Sequence, residues 1–370
     1  MSTDDLTPGN TLGAWVIDEV ASLGQPTLVR CHHRDTPTRR AILKVTRQHR
    51  MAQTWQDREV RALQSLTHPA IPRFLDSGRQ GRLLFIAVSP FATTTLAECL
   101  YSGAPERGLV LAWALHLAGA LHHMHESGWV HGDVHPRNVF VDERGQAWLM
   151  GLTSARTPDD PGRFREEIPE GNYTYLAPEA LQPDGERSAR SDQYALGCLL
   201  YQLLTGEPPF PAAAFAGRHD QALMFLEWKQ RQRELDPGDA HPDWLRVLVR
   251  TCTRADATLR YPDLSNAIAM LEVARTTWAP EQAALLSTPL PAERQVPLEP
   301  LQLQPALDAE AIAHRVAESL ARQQPPPPQP SADTALVNGM LWYVAGSAGM
   351  ATGLALSLLV ILYAELVRIG

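Results

Sequence analysis

Apolar residues up to about residue 90 fall into short runs of the kind that predicts β-strands. A helical pattern lies between the third and the fourth run, with Val60, Leu63 and Leu66 on its apolar face. The four predicted strands cover residues 15–20, 27–31, 41–45 and 83–88. This part of the chain is therefore predicted to be mainly β-structure with one helix.

Beyond residue 90 the apolar positions follow helical spacing over longer stretches. Between residues 90 and 206, three helices and two paired strands are predicted: a helix from Thr95, helices over 109–127 and 191–201, and strands over 139–141 and 147–150. Thr95, or Thr94 before it, has the side chain of an N-cap, and Gly206 is a helix stop. The second half is therefore predicted to be mainly helical.

One polar stretch, residues 131–138, separates the long apolar helix from the first of these two strands. It reads His-Gly-Asp-Val-His-Pro-Arg-Asn and resembles the catalytic loop of protein kinases. In that family an Asp accepts the substrate hydroxyl proton, and an Asn five residues later holds a metal ion. The resemblance assigns these roles to Asp133 and Asn138. His135 takes the place of the Lys that contacts the transferring phosphate.

Other kinase motifs follow in the family order. Residues 41–45 are similar to the Val-Ala-Ile-Lys motif, so Lys44 is expected to contact the nucleotide phosphates with Glu59 as its ion-pair partner. The Ala-Pro-Glu motif ends at Glu179, for which the family provides a buried arginine, here Arg260. Asp192 is expected to hold the backbone of the catalytic loop. We therefore predict an α+β, two-lobed protein-kinase-like fold, with a small antiparallel β lobe plus C-helix and a large, mainly helical lobe.

The resemblance also places residues around the nucleotide: Gly24, Val29, Ile42, Phe91 and Phe140. Gly24 matches only the middle glycine of the glycine-rich loop, and Phe91 lies in the hinge predicted at residues 89–91. Ile42 replaces a small alanine over the adenine, and Phe140 replaces the leucine beneath it. Because both replacements add volume, a cramped adenine slot is expected.

The metal-binding Asp of the kinase Asp-Phe-Gly motif is expected thirteen residues after the loop Asn, where this chain has Gly151. Asn138 is then the one obvious protein ligand for a metal. ATP and Mg²⁺ are the cofactors that the resemblance implies, with weak or metal-independent binding expected here. Gly132 replaces the Arg beside the catalytic Asp, which predicts that loop phosphorylation does not control the site.

Three functions remain open at this point. The first is a kinase-like signalling or regulatory binding module with impaired phosphotransfer, and the second is an active Ser/Thr kinase with an unusual metal site. The third is a small-molecule kinase, because the form of the 131–138 loop is also similar to that of aminoglycoside and choline kinases. The Ala-Pro-Glu motif and the Asp192 helix argue against the third.

The C-terminal region has a different composition. Residues 336–364 carry no charge and are longer than the roughly 20 apolar residues that cross a bilayer, so we predict one transmembrane helix. The predicted organisation is a disordered lead (1–10), the kinase-like domain (11–276), a Pro-rich linker with a short helix (277–335), the transmembrane helix (336–364) and a short tail (365–370). The fold class places the kinase-like domain in the cytoplasm, where ATP is.

Small residues repeat every four positions in the predicted membrane helix: Ala345, Gly349, Gly353 and Ser357. This ladder would let two helices approach closely in a homodimer, and a span without a partner is the alternative. A partner or substrate protein is expected, but its identity does not follow from the sequence. The net charge of −8 and the absence of a long basic run argue against nucleic acid.

Two further residue types are interpreted as structural. The four scattered cysteines, Cys31, Cys99, Cys198 and Cys252, are expected to be apolar core residues in a reducing compartment. His122 and His125 are three positions apart on a predicted helix, but no third ligand lies at a suitable spacing. These histidines are therefore expected to be solvated or capping side chains.

Overall fold

The computed structural model describes residues 6–22, 26–103, 105–142, 144–160, 172–182, 185–210 and 221–277. All of them belong to one unit, Met1–Ala309, and the second unit, Glu310–Gly370, lies outside the described residues. Several predictions of the sequence analysis also fall outside: those for Gly24, for the linker from residue 278, for the membrane helix and its small-residue ladder, and for the tail.

Six antiparallel strands form the sheet of the N-terminal lobe: β1 Thr11–Leu12, β2 Trp15–Ser22, β3 Thr27–His33, β4 Thr36–Arg47, β5 Phe74–Gln80 and β6 Leu83–Val88. Their order in the sheet is β1-β2-β3-β4-β6-β5. Helix α1, Ala52–Ser65, follows β4 and contacts β5 and β6. The predicted small antiparallel lobe with one helix is confirmed.

The two faces of this sheet belong to different apolar cores, because side chains alternate along a strand. In the pairing of β3 with β4, Leu28 lies opposite Lys44 and Val29 lies opposite Leu43. Leu28 and Ile42 belong to the large core that includes α1 residues. Val29 and Leu43 belong to a smaller core on the other face. The face that carries Lys44 is therefore the one that faces α1 and the rest of the molecule.

The C-terminal lobe is mainly helical, as predicted. Its elements are α2 Leu96–Ser102, α3 Arg107–Glu126, β7 Val139–Val141, β8 Ala147–Leu149, α4 Ala189–Thr205, α5 Gln221–Gln232, α6 Asp243–Cys252 and α7 Ser265–Thr277. The apolar helix α3 contacts α4, α7 and β8, while β7 and β8 pair as an antiparallel hairpin. Residues 131–138 therefore lie between the end of α3 and this hairpin.

Helix ends match the capping signals in the sequence. Thr95 accepts from the Glu98 N–H, and the Glu98 carboxylate accepts from the Thr95 N–H, which completes a capping box at α2. Gly206 ends α4 with φ 76°, a left-handed conformation that favours glycine. Across the described ranges, no helix has both the length and the apolar composition needed to cross a bilayer.

Two sequence predictions need correction. The predicted disordered lead is wrong for residues 6–10, because Gly9 N–H donates to Ile17 O at 2.9 Å and Leu6 packs against the smaller core. The described residues also contain β1, β5, α5, α6 and α7, which the hydrophobic pattern did not predict. β5 has mixed polarity, and its backbone is stabilised by pairing along its length with the buried strand β6.

The four cysteines are free thiols, and Cys31, Cys198 and Cys252 are buried. Burial raises the pKa of each of these three to about 12, so they are protonated at neutral pH. They behave as small apolar core residues, which agrees with the interpretation from the sequence.

Candidate active site

One buried carboxylate ties the 131–138 loop to the first turn of α4. Asp192 Oδ2 accepts from the His131 N–H, and Oδ1 accepts from the Gly132 N–H, both at 2.8 Å. Burial alone would raise the pKa of Asp192, but the hydrogen bond and charge of His125 outweigh it, so the pKa is lowered. The predicted role of Asp192 as the anchor of this loop is confirmed.

His125 belongs to the same anchor. Its Nε2 lies 2.9 Å from Asp192 Oδ2, and only 10% of its side chain is exposed. The predicted solvated or capping role of His125 is therefore wrong. The spacing of residues along α3 could not predict this contact, because Asp192 lies on another helix, α4, far along the chain.

Asp133 lies among the basic and amide groups of the loop. Its Oδ2 lies 3.5 Å from His135 Nε2 and accepts from Asn138 Nδ2 at 3.2 Å. Burial alone would raise the pKa of Asp133, but the hydrogen bond from His135 and the charges of His135, Arg187 and His131 outweigh it, so the pKa is lowered. Asp133 is therefore ionised at neutral pH and can accept a hydrogen bond from a hydroxyl group.

His135 is directed at Asp133. Its Nδ1 accepts from the Arg137 N–H at 3.2 Å, so the neutral ring carries its proton on Nε2, the nitrogen that faces Asp133. The side chain is buried. In this arrangement His135 is a hydrogen-bond donor to the loop carboxylate, whereas the Lys of the family is a permanent cation.

Lys44 and Glu59 form the ion pair that the sequence predicts. Lys44 Nζ lies 2.5 Å from Glu59 Oε2, and the Glu59 side chain is 1% exposed. Glu59 Oε1 has no hydrogen-bond partner among the described residues. Strand β4 and helix α1 thus place a paired ammonium group on the face of the sheet that faces the loop.

Asn138 fills the space above Gly151. Its Nδ2 donates to the Asp133 backbone O at 2.8 Å. Gly151 has φ 82°, and a Cβ added there would lie 2.3 Å from both Cγ and Oδ1 of Asn138. The amide of Asn138 therefore occupies the volume that a side chain at position 151 would need.

Apolar side chains crowd the expected adenine slot. Ile42, Phe91 and Phe140 are 2%, 8% and 8% exposed and belong to one core. The rings of Phe91 and Phe140 meet edge to face, with centroids 5.0 Å apart. A ligand between them would have to separate packed side chains, which agrees with the expectation of a cramped slot.

The assignment of Val29 to the nucleotide face is wrong. Val29 packs in the smaller core on the other face of the sheet. Leu28 takes its place, because it pairs with Lys44 and shares a core with Ile42. The glycine-rich-loop motif placed the nucleotide-facing residue of β3 one position too late. A shift of one residue along a strand moves the side chain to the opposite face of the sheet.

Comparison with known proteins agrees with this geometry. The protein kinase domain model matches residues 23–273, which is more than half of the chain. The chain belongs to the protein kinase family. Its relatives include the DNA damage-responsive serine/threonine-protein kinase RqkA of Deinococcus radiodurans, 35% identical over 227 residues, which cover 58% of this chain and 32% of RqkA.

Other bacterial serine/threonine kinases match a shorter part of the chain. A probable serine/threonine-protein kinase of Streptomyces coelicolor is 38% identical over 163 residues, covering 41% of this chain and 24% of that protein. The serine/threonine-protein kinase PknB of Mycolicibacterium smegmatis is 35% identical over 164 residues, covering 41% of this chain and 25% of that protein. The chain thus covers a third or less of the length of these relatives.

The residues of the kinase site fit the phosphates of ATP better than they fit Mg²⁺. The Lys44–Glu59 pair fits the phosphate-binding role that it has in the family. On the metal side, Gly151 offers no carboxylate, and Mg²⁺ prefers carboxylate and phosphate oxygens. Within the described ranges, no group of three or more His, Cys, Asp or Glu side chains is arranged to hold a metal ion. The amide oxygen of Asn138 alone is therefore a poor match to a kinase metal site.

Two buried basic side chains hold residues 173–179, the segment that ends in the Ala-Pro-Glu motif. Arg260 donates to Glu179 through Nη1 at 2.7 Å and Nη2 at 2.9 Å, which confirms the predicted pair. Lys229 on α5 donates to three backbone carbonyls of the segment before Glu179: Tyr173, Thr174 and Leu176. The sequence did not predict Lys229, because neither helix α5 nor its distant backbone acceptors follow from the hydrophobic pattern.

Helix α1 is also tied to the segment after the β7–β8 hairpin. Arg58 Nη1 donates to Thr153 O at 2.8 Å, and Arg61 Nη2 lies 3.0 Å from Asp160 Oδ1. These contacts join the helix that carries Glu59 to that segment. Neither of them requires a phosphorylated residue.

Proposed function

We propose that this chain is a membrane-tethered, Ser/Thr-kinase-like signalling module with impaired phosphotransfer. In this proposal, the kinase domain binds and regulates a partner protein, and any transfer of phosphate from ATP is weak. The observation that carries the proposal is Gly151, with the amide of Asn138 packed directly above it. Membership of the kinase family gives the fold and the general use of ATP and Mg²⁺, but it does not give activity.

The physical basis is loss of charge neutralisation. Phosphoryl transfer depends on positioning and on metal ions that offset the charge of the phosphates. With Gly151 in place of the carboxylate and His135 directed at Asp133, the site has fewer fixed groups for both tasks. A loss of several kcal/mol of transition-state stabilisation is expected, and each 1.4 kcal/mol corresponds to about tenfold in rate.

An active Ser/Thr kinase with an unusual metal arrangement is the second candidate. Two observations favour it: the Lys44–Glu59 pair is formed at 2.5 Å, and Asp133 is held ionised in the loop. In this candidate only the metal-binding position differs from that of an active kinase. A metal ion that arrives bound to the phosphates of ATP would then supply the missing charge.

ATP binding by the purified full-length protein separates these candidates. The proposal predicts no magnesium-dependent thermal shift with ATP and no autophosphorylation. Lys44→Met is the control, because it should remove any metal-independent shift caused by the phosphates. Strong magnesium-dependent labelling of protein that is abolished by Asp133→Asn would contradict the proposal and establish the active kinase. Transfer to a small cationic alcohol, without labelled protein, would instead establish a small-molecule kinase.

The membrane part of the proposal rests on the sequence. A helix over 336–364 would tether the chain to the membrane, with the kinase domain on the cytoplasmic side because its fold class works where ATP is. The ladder at 345, 349, 353 and 357 would allow a homodimer. Carbonate extraction of membranes should leave the full-length protein in the pellet, and deletion of 336–364 should release it. Release of the full-length protein would refute the tether.

A further inference from the structure

The chain contains two lysines, Lys44 and Lys229, beside thirty-one arginines. Both lysines are buried. The two basic residue types are not interchangeable, because an ammonium group is a compact charge with three donors, whereas a guanidinium group is a planar fork with five. Lys44 has its role in the pair with Glu59. Lys229 is the lysine whose role the kinase motifs leave open.

Three backbone carbonyls surround the ammonium group of Lys229. Its Nζ donates to Tyr173 O and Thr174 O at 2.9 Å and to Leu176 O at 2.5 Å. An ammonium group has three N–H donors, so the charged form satisfies all three carbonyls. A neutral amine has two N–H bonds and would leave one carbonyl facing its lone pair. The geometry therefore suits the ammonium form.

Three aromatic rings enclose the same group. Nζ lies 4.5 Å from the ring centroid of Phe210, 5.2 Å from that of Tyr194 and 5.8 Å from that of Phe225. Aromatic rings attract a cation at these distances. Because Lys229 is 2% exposed, a larger planar guanidinium group would have to displace packed side chains. The rings therefore favour a lysine at this position.

The titratable and charged groups that face Lys229 come from three other parts of the chain. They are the thiol of Cys198 and the phenol of Tyr194 on α4, the carboxylate of Glu179, and the guanidinium group of Arg260. Burial lowers the pKa of Lys229 to about 7, with Cys198 and Glu179 opposing this shift and Arg260 adding to it. The ammonium form therefore prevails at about pH 6 and the amine at about pH 8.5.

Tyr175 lies between the carbonyls that Lys229 holds. Its ring lies beside the ring of His135 in the 131–138 loop, with the two centroids 6.5 Å apart. Because the carbonyls on both sides of Tyr175 are bound by one ammonium group, the backbone that carries this ring is fixed. Lys229 thus acts on the neighbourhood of the loop through Tyr175.

We propose that Lys229 is a positioning residue whose ammonium group holds residues 173–176, and with them the Tyr175 ring, beside the 131–138 loop. The inference deepens the proposed function and rests on it in one respect, namely that this segment is part of the surface that a partner protein meets. It requires no transfer of phosphate.

The test is hydrogen–deuterium exchange of the full-length protein, read by mass spectrometry in peptides that cover 172–182 and, as an internal reference, α3. Lys229→Met keeps an unbranched side chain among the rings and removes the donors. At about pH 6, exchange over 172–182 should be at least about tenfold faster in this variant than in wild type, while α3 exchanges at an unchanged rate. Arg231→Met is the matched control on α5: its side chain is 83% exposed, and exchange over 172–182 should not change.

A pH series separates the role of the ammonium group from that of the side-chain volume. From about pH 6 to about pH 8.5, exchange over 172–182, corrected for its intrinsic pH dependence, should accelerate in wild type and stay constant in Lys229→Met. Equal exchange in the two proteins at pH 6, an equal acceleration in α3, or a wild-type segment that does not respond to pH would overturn the proposal. If Lys229→Met does not fold, the wild-type series decides alone. The assay uses neither ATP nor a partner, so its failure is distinguishable from failure of the proposed function.

Discussion

Two sides of the active site differ in how many of the family's functional residues they contain: the anchored side, which supports the 131–138 loop and the segment ending at Glu179, and the metal side around Gly151. On the anchored side, Asp192 holds the loop backbone and Arg260 pairs with Glu179. On the metal side, the carboxylate position is Gly151, and Asn138 packs above it. The comparison teaches that the scaffold that shapes a kinase site can persist where glycine replaces the family's metal-binding carboxylate. Each prediction below tests one side against the other.

The largest effect is expected on the anchored side, from Arg260→Met. Arg260 is fully buried and donates to both Glu179 oxygens and to backbone carbonyls, so its removal leaves several acceptors without partners. The free energy of unfolding should fall by about 3–5 kcal/mol. Urea unfolding of the full-length protein measures it.

The matched control is Arg254→Met in the same loop. The Arg254 side chain is 40% exposed, and its Nε lies 3.6 Å from Glu234. The expected loss is about 1 kcal/mol or less. Equal losses for the two variants would show that the Arg260–Glu179 pair does not stabilise the anchored side.

A smaller effect is expected from Lys44→Met, which leaves Glu59 buried and without its ion-pair partner. Because Glu59 Oε1 already lacks a partner, the variant leaves both oxygens unpaired, at a cost of about 3 kcal/mol. Lys44→Met with Glu59→Gln should recover part of this loss, since the second change removes the unpaired charge. Thermal unfolding measures both variants, and a double variant less stable than the single one would contradict the account.

Arg40→Met, on the same strand, is the control for Lys44. Arg40 pairs with Asp18 at 2.8 Å, but 60% of its side chain is exposed. A change of about 1 kcal/mol or less is expected.

The smallest effect is expected from Arg61→Ala, which removes the exposed pair with Asp160. The loss should be about 0.5 kcal/mol and should shrink further in high salt. Unfolding at low and high ionic strength measures it. A loss of several kcal/mol would mean that this pair, and not the Lys44–Glu59 pair, fixes helix α1.

Much of the fold could be predicted from the sequence, because strands β2, β3, β4 and β6 and helices α3 and α4 have strong apolar patterns. Their ends were less clear, since β4 was predicted over 41–45 and spans Thr36–Arg47. The motif spacing also located Lys44, Glu59 and Asp192. β5 could not be found in this way, since it depends on its pairing with β6 more than on its own residues. Helix α6 is strongly amphipathic, so a closer count of its apolar spacing would have found it.

The site residues that were missed are those whose contacts join distant segments. Arg187, Lys229 and His125 act on groups that are remote in sequence, and no spacing rule connects them. The error at Val29 has a different origin. Leu28 is the residue that pairs with Lys44, and only the register of β3 and β4 reveals this pairing.

The central claim is that a missing carboxylate limits metal-dependent ATP binding. Gly151→Asp restores it, at a cost of about 1–2 kcal/mol for a left-handed backbone, and Asn138 must move. Gly206→Asp, at φ 76° in open space, is the control for the backbone cost.

The deciding measurement is the affinity for ATP with and without Mg²⁺, determined by calorimetric titration of the wild type and both variants. The account predicts that only Gly151→Asp gains magnesium-dependent ATP binding. Tight, magnesium-dependent binding of ATP by the wild type, unchanged in Gly151→Asp, would contradict it.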